Sequence, residues 1–207
     1  MNTINEKIYE SLELLPEDLQ GWGGTAPIFE QLIIEVKPKI IVEVGTWKGQ
    51  SAITMANAVK RHKLDTKIYC IDTWLGALEF WGSLKHTKER DLMLKNGYPQ
   101  IYYQFLSNVV HNQAQDIITP FPSTSTIGYN FLKSNKVKPD LIYIDASHDE
   151  ADVYLDICNY YELLDKGGIL FGDDYTTWAG VKAAVNNFKK EKNVKVDVVG
   201  KSWIIRK

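Results

Sequence analysis

Three acidic residues end two apolar runs in the second half of the chain. Asp145 closes the run DLIYID, and Asp173 and Asp174 close the run GGILFGDD. If these runs are neighbouring strands, which lie about 4.8 Å apart, the three carboxylates converge at one edge of a sheet. Carboxylates so close together repel each other unless a cation neutralises them, and oxygen ligands favour Mg²⁺ or another hard divalent ion. The spacing therefore predicts a metal site formed by Asp145, Asp173 and Asp174.

His148 lies just after Asp145 in the sequence and belongs to the same candidate site. A positioned imidazole can accept a proton from a substrate, so we predict a catalytic role for His148 next to the metal ligand Asp145. The alternative is that Asp173 and Asp174 form a solvated turn and that His148 lies in a surface loop. The acidic residues that follow His148 are typical of a helix N-terminus.

A second candidate site is the turn GTWKG at residues 45–49, which follows the strand-like run IIVEV. In dinucleotide-binding folds the middle glycine of such a turn lets a pyrophosphate approach the backbone. Trp47 occupies that place here, which favours a nucleoside without phosphates. Glu43 precedes the turn and suits a cationic ligand. Asp72 ends the next strand-like run, where an acidic residue can accept hydrogen bonds from ribose hydroxyls.

These residues must be positioned by a sheet, because strand-like and helix-like segments alternate from residue 40 to residue 192. Such alternation is typical of a doubly wound α/β fold, and nearly continuous apolar strands indicate a parallel sheet covered on both faces. The last two runs, VKVDVVG and KSWIIRK, have no helix between them and predict an antiparallel hairpin at the sheet edge. We predict one α/β domain over residues 1–207, with a mostly parallel, doubly wound, seven-stranded sheet.

One segment, residues 73–97, interrupts this alternation and is longer than a usual connection. Trp74, Phe80 and Trp81 precede a charged run within it. It is either a helical excursion that packs its own aromatic residues or a lid at the edge of the sheet where open α/β sheets bind ligands. Its aromatic residues could also form an interface with a second copy of the chain, so a homo-oligomer stays open.

Composition excludes several classes of protein. The formal charge of -2 and the lack of a basic run argue against a nucleic-acid partner. Cys70 and Cys158 are isolated in sequence and are expected to be buried thiols. The first residues lack the apolar region of a signal peptide, and no apolar run is long enough to span a membrane, so we expect a cytoplasmic protein without a membrane partner.

The order IVEVGTWKGQS, CID, YIDASH and LLDKGGILFGDDY, followed by an edge hairpin, resembles class I S-adenosylmethionine-dependent methyltransferases. More narrowly, it is similar to the metal-dependent O-methyltransferases that act on catechols or on sugar hydroxyls of macrolides. The resemblance spans roughly residues 21–207. It implies S-adenosylmethionine and Mg²⁺ or another divalent cation as cofactors, and a small-molecule hydroxyl substrate, with a saccharide as one candidate.

The resemblance also implies roles for individual residues. It makes Asp145, Asp173 and Asp174 the metal ligands and His148 the basic residue. An acid at Asp174, where the catechol enzymes carry an amide, favours the sugar-hydroxyl group. The residues implied to bind the cofactor are Trp22, Gly23, Glu43, Gly45, Gly49, Ser51, Asp72, Ser123 and Thr124.

Two other functions stay open at this point. A nicotinamide-dependent oxidoreductase could share the alternating fold, although Trp47 in the glycine turn disfavours it. A non-catalytic cofactor-binding module is also consistent with the motifs, because a fold and its binding residues do not by themselves establish turnover.

Overall fold

The computed structural model describes residues 7–82 and 90–207, and its centre is a seven-stranded sheet. Seven helices accompany the sheet in the described part of the chain. The strands are β1 (Ile40–Val44), β2 (Lys67–Asp72), β3 (Ile118–Pro122), β4 (Leu141–Ile144), β5 (Ile169–Gly172), β6 (Val196–Val199) and β7 (Ser202–Arg206). The helices are α1 (Ile28–Val36), α2 (Gln50–Arg61), α3 (Leu78–Gly82), α4 (Ile101–His111), α5 (Ser125–Ser134), α6 (Glu150–Leu163) and α7 (Ala179–Lys192).

The strand order is β3-β2-β1-β4-β5-β7-β6, and the neighbouring strands from β3 to β5 are parallel. β2 and β3 extend the sheet on one side of β1, whereas β4 and β5 extend it on the other. The chain therefore reverses its direction of winding between β1 and β4, the position where open α/β sheets bind ligands. The predicted fold class is confirmed.

Apolar residues on both faces of the strands explain why helices cover both faces of the sheet. Ile41 packs in the core with α1, α2 and α4, and its neighbour Val42 packs with α5, α6 and α7. Successive side chains of a strand point to opposite faces, so a continuous apolar run requires a helical layer on each side. Both residues are fully buried.

The predicted terminal hairpin is present, with β7 antiparallel to both β5 and β6. Four of the five residues of β7 are buried, because this strand lies inside the sheet, whereas β6 forms the more exposed edge. Gly200 turns the chain between the two strands with a positive φ of 63°. The turn brings Lys201 back towards the carboxyl ends of the parallel strands.

The segment 73–97 contains one described helix, α3, and its residues 83–89 lie outside the described part of the chain. Trp74 is buried and packs against Tyr102 and Phe105 of α4, with ring centroids 4.9 and 5.0 Å away. Trp74 is therefore a core residue. Among the described helices, none combines the length and the apolar character needed to cross a bilayer.

Candidate functional site

The residues at the carboxyl ends of four strands lie side by side at one edge of the sheet. Val44 at the end of β1 is in register with Ile71 of β2 and with Ile144 of β4, and Ile144 is in register with Gly172 of β5. The residues directly after this row are Gly45, Asp72, Asp145 and Asp173. The register thus brings the glycine turn and the acidic residues to the same edge.

The glycine turn depends on a close contact between β1 and β4. Gly45 has a φ of 85°, and a Cβ atom on it would lie 2.2 Å from the carbonyl oxygen of Asp145. Asp72 fixes the turn, because its Oδ2 accepts hydrogen bonds from the amides of Thr46 at 2.7 Å and Trp47 at 2.9 Å. Its Oδ1 accepts from the amide of Trp74 at 2.7 Å. A carboxylate has about four acceptor positions, so Asp72 retains capacity for a ligand.

Glu43 lies beneath this turn and is fully buried. Its Oε1 accepts a hydrogen bond from the Ser51 hydroxyl, and its Oε2 accepts from the hydroxyl of Thr46 at 3.1 Å and from the thiol of Cys70 at 3.4 Å. Burial raises the pKa of Glu43 to about 7, although these hydrogen bonds oppose the shift. Glu43 and the Ser51 hydroxyl thus bind each other and support the turn from below.

The remaining predicted cofactor residues surround the turn. Trp22 is 48% exposed, and its ring lies 6.1 Å from that of Trp47 and 5.9 Å from that of Phe80. The amide of Ser123 donates to the carbonyl oxygen of Asp72 at 2.9 Å. Thr124 caps α5, its side chain accepting from the amide of Ile127 at 3.3 Å, and Gly49 begins α2 in a left-handed conformation.

The structure brings Asp145, His148 and Asp174 together, with possible ligand atoms that all lie within 4.8 Å of one another. Desolvation raises the pKa of Asp145 to about 7, and the charges of Asp173 and Asp174 add to this shift. The hydroxyl of Tyr143 donates to Asp145 Oδ2 at 2.9 Å. A cation at this position would relieve the repulsion between the carboxylates.

Asp173 is oriented differently from the predicted metal site. Its Oδ2 forms an ion pair with Lys201 Nζ at 2.5 Å, and its Oδ1 is buried without a hydrogen-bond partner among the described residues. Lys201 Nζ also lies 3.9 Å from Asp174 Oδ1. Desolvation lowers the pKa of Lys201, but the bond to Asp173 and the charges of Asp173, Asp174 and Asp145 together outweigh this effect and raise the net pKa.

His148 is held from several sides. Its Nε2 lies 3.2 Å from Asp174 Oδ2, its Nδ1 lies 3.5 Å from Glu79 Oε1 of α3, and its ring stacks on Trp178 with centroids 4.1 Å apart. The hydrogen bond to Asp174 raises the pKa of His148, although partial burial opposes the shift. Gly180 lets α7 approach, because a Cβ atom there would lie 2.3 Å from the His148 carbonyl oxygen.

The sequence did not predict the roles of Lys201, Glu79 and Trp178. Lys201 and Glu79 lie far from His148 and Asp174 in the sequence, so no local pattern identified them. Trp178 follows Asp174 closely, directly before α7, but belongs to no recognised motif. Only the return of the terminal hairpin and the position of α3 bring Lys201 and Glu79 to the site.

Most of the side chains at this site are suitable ligands for a divalent ion, but one is not. Two carboxylates and an imidazole nitrogen converge, and the buried Oδ1 of Asp173 is a further oxygen donor without a partner in the described chain. An imidazole nitrogen also admits Mn²⁺ and other transition metals. The ammonium group of Lys201 is the element that does not fit, because it already neutralises Asp173.

Comparison with known proteins identifies the family. A family model described as a methyltransferase domain matches residues 42–175, a range that includes the glycine turn, Asp72 and the acidic cluster. The chain belongs to this methyltransferase family. The predicted resemblance to methyltransferases is thereby confirmed at the level of the family.

Solved structures similar to this methyltransferase include O-methyltransferases of low sequence identity. The O-methyltransferase from Bacillus cereus in complex with SAH has a TM-score of 0.63 and 16% identity, over 97% of this chain and 87% of that one. The TDP-rhamnose 3'-O-methyltransferase of calicheamicin biosynthesis gives 0.62 and 17%, over 86% and 77%. TomG from Streptomyces achromogenes, in complex with SAM, gives 0.61 and 15%, over 92% and 82%.

These likenesses show that this methyltransferase shares the fold of those enzymes. A comparison with curated proteins gives no significant match.

Proposed function

We propose that this methyltransferase transfers a methyl group from S-adenosylmethionine to a hydroxyl oxygen of a small molecule, with a saccharide as the favoured acceptor class. The observation that supports this most is the meeting of the glycine turn with the cluster of Asp145, His148 and Asp174 at the switch point of the sheet. The family match spans both parts.

The cofactor would lie across the glycine turn. Gly45 is partly exposed at the start of the turn, and Gly49 is buried directly before α2. At the start of α2 the first amide groups have no partner within the helix and favour a carboxylate. Asp72 has acceptor capacity left for a ribose hydroxyl, and the Ser123 amide bond to Asp72 places the start of α5 nearby. Trp22 borders the same turn, Gly23 lies beside Lys201 and Asp173, and Glu43 supports the turn from below.

The proposed reaction uses a methyl donor and a divalent ion, both bound by the chain. S-adenosylmethionine supplies an electrophilic methyl group on a positively charged sulfur. A divalent ion held by the carboxylates of Asp145 and Asp174 would supply Lewis acidity that lowers the pKa of the acceptor hydroxyl. Asp173 is the proposed additional carboxylate ligand.

His148 is the proposed proton acceptor. Asp174 accepts the hydrogen bond of Nε2 and so leaves Nδ1, on the side of α3, to receive the hydroxyl proton. The stack on Trp178 fixes the plane of the ring, and Asp174 stabilises the imidazolium that forms. Orientation of the acceptor oxygen and of this base is the main contribution of the chain to the rate.

Exposed aromatic side chains favour a saccharide or another acceptor with an apolar face. Trp178 is 44% exposed beside His148, and Trp22 is exposed at the glycine turn. An indole ring offers a broad apolar surface that stacks against a sugar ring and leaves the hydroxyls free. A similar fold is found in an enzyme whose printed substrate is TDP-rhamnose.

We further propose that residues 73–82, the described first part of the segment 73–97, form a wall of the acceptor site. Glu79 of α3 faces His148, and Phe80 packs against Trp47 with ring centroids 5.0 Å apart. These contacts tie α3 to both halves of the site. Neither the nicotinamide alternative nor the non-catalytic one gains support from the family match, which is to a methyltransferase domain.

The proposal is tested by measuring the formation of S-adenosylhomocysteine from S-adenosylmethionine. Catechols, free sugars and nucleotide-linked sugars are supplied as acceptors. We expect turnover with at least one hydroxyl acceptor. Replacing His148 by Ala should lower that turnover by about 10²–10⁴, because a positioned base is lost, while the affinity for S-adenosylhomocysteine stays near wild type.

The matched control is His62→Ala, since His62 is a surface histidine paired with Glu30. This variant should keep wild-type turnover. Unchanged turnover in His148→Ala would remove His148 from the mechanism. Methyl transfer to amines but to no hydroxyl acceptor would contradict the assignment as an O-methyltransferase.

A further inference from the structure

The ammonium group of Lys201 occupies a position within the carboxylate cluster. It lies 2.5 Å from Asp173 Oδ2 and 3.9 Å from Asp174 Oδ1, and Asp174 in turn contacts His148. The side chain of Asp173 is only 5% exposed, so this ion pair lies at the inner end of the cluster. A cation supplied by the chain is therefore already in contact with two of the three carboxylates.

Lys201 is held in this position by its backbone and by its neighbours. Its carbonyl oxygen accepts a hydrogen bond from the amide of Tyr175 at 2.9 Å, which ties the hairpin turn to the loop after Asp174. A Cβ atom on Gly23 would lie 2.7 Å from Lys201 Nζ and 3.2 Å from Asp173 Oδ2. The absence of a side chain at Gly23 thus leaves room for the ammonium group between the N-terminal segment and β5.

The other carboxylate oxygen of Asp173, Oδ1, is not bound by Lys201. Asp173 Oδ1 is buried and has no hydrogen-bond partner in the described chain, although a buried carboxylate oxygen normally has one. Lys201 neutralises the charge of Asp173 from one side only. A divalent ion that engaged Asp173 together with Asp145 and Asp174 would be repelled by the ammonium group at close range.

We propose that Lys201 is a tethered cation that competes with a divalent metal ion for Asp173. While the lysine is in place, its ammonium group neutralises Asp173 and repels a divalent ion from this carboxylate, so the ion binds weakly. When the lysine leaves, all three carboxylates become available and the ion binds tightly. The role of this metal in methyl transfer rests on the proposed function, but the competition itself does not.

The test is the affinity for Mn²⁺, measured by isothermal titration calorimetry at low ionic strength on the wild-type protein and on Lys201→Met. The variant keeps the length of the side chain and removes its charge. We expect it to bind Mn²⁺ at least about tenfold more tightly than the wild type. Lys201→Gln serves as a second neutral variant in case Lys201→Met does not fold.

Two controls separate competition from a general charge effect. Lys201→Arg keeps the positive charge and should retain the weak binding of the wild type. Lys195→Met removes a lysine that is 84% exposed and paired with Asp197 on the same hairpin, and it should leave Mn²⁺ affinity unchanged.

Equal Mn²⁺ affinity in wild type and both neutral variants, or no binding in any of them, would overturn the proposal. Tight binding by Lys201→Arg, or an equal gain in Lys195→Met, would overturn it too. Binding of S-adenosylhomocysteine to the same samples is a separate readout. If the wild-type protein did not bind S-adenosylhomocysteine, the proposed methyltransferase function would be contradicted, whatever the Mn²⁺ comparison shows.

Discussion

Glu43 and Asp72 show how two carboxylates can serve one site in different ways. Sequence reasoning assigned both acids to the cofactor, yet Glu43 is fully buried and accepts hydrogen bonds from Thr46, Ser51 and Cys70. Asp72 binds the amides of the turn and remains partly exposed. Glu43 therefore shapes the turn without reaching its surface, while Asp72 can do both.

The raised pKa of Glu43 leads to a prediction about stability. A group whose pKa rises on folding, here from 4.5 to about 7, binds its proton more tightly in the folded state. The free energy of unfolding should therefore fall as the pH rises between these values, by about 1–3 kcal/mol for this group. Glu43→Gln removes the titration, so its decline in stability should be shallower, as measured by urea unfolding near pH 5 and pH 7.5.

Other groups set the background for that measurement. Asp145 and His148 also have raised pKa values and shift stability in the same direction, so some decline will remain in the variant. The control is Glu13→Gln, because Glu13 is exposed. If Glu43→Gln and wild type lost stability equally over this pH range, Glu43 would not be the titrating group.

At the scale of elements, the strands and the terminal hairpin could be predicted, because continuous apolar runs and the missing helix before β7 are local patterns. The convergence of Asp145 and Asp174 followed once β4 and β5 were assumed to be neighbours. The ion pair of Lys201 with Asp173 could not be predicted, since it depends on how the hairpin returns over β5.

The N-terminal arm, residues 15–24, is an element that the sequence did not reveal. Asn108 of α4 is buried and holds it, because its Nδ2 donates to the carbonyl oxygens of Asp18 at 2.7 Å and Lys48 at 2.8 Å. Its Oδ1 accepts from the Asp18 amide and from Gln104, both at 3.0 Å. One amide thus joins the arm that leads to Trp22 with the glycine turn.

Replacing Asn108 by Ala should detach this arm from α4. Because several buried backbone groups lose their partner, we expect the free energy of unfolding to fall by about 2–4 kcal/mol, with weaker binding of S-adenosylhomocysteine. Urea unfolding measures the first effect and calorimetry the second. Asn135→Ala, at the exposed end of α5, should change stability by less than about 0.5 kcal/mol. An equally small effect of Asn108→Ala would show that the arm is held by other contacts.

At the scale of the whole molecule, the switch point divides the proposed work between two halves of the sheet. The half with β1, β2 and β3 carries the glycine turn and Asp72, which would bind the cofactor. The half with β4 and β5 carries Asp145 and Asp174, which would act on the acceptor. Gly45 lies against the Asp145 carbonyl where the two halves meet, so the two functions are held at a fixed distance.

Calorimetric titration of the wild-type protein with S-adenosylhomocysteine and, in parallel, with NADH tests the proposed cofactor site most directly. We expect one binding site for S-adenosylhomocysteine and no binding of NADH, because Trp47 occupies the place that a pyrophosphate would need. Binding of NADH with equal or higher affinity, or no binding of S-adenosylhomocysteine at millimolar concentration, would contradict it.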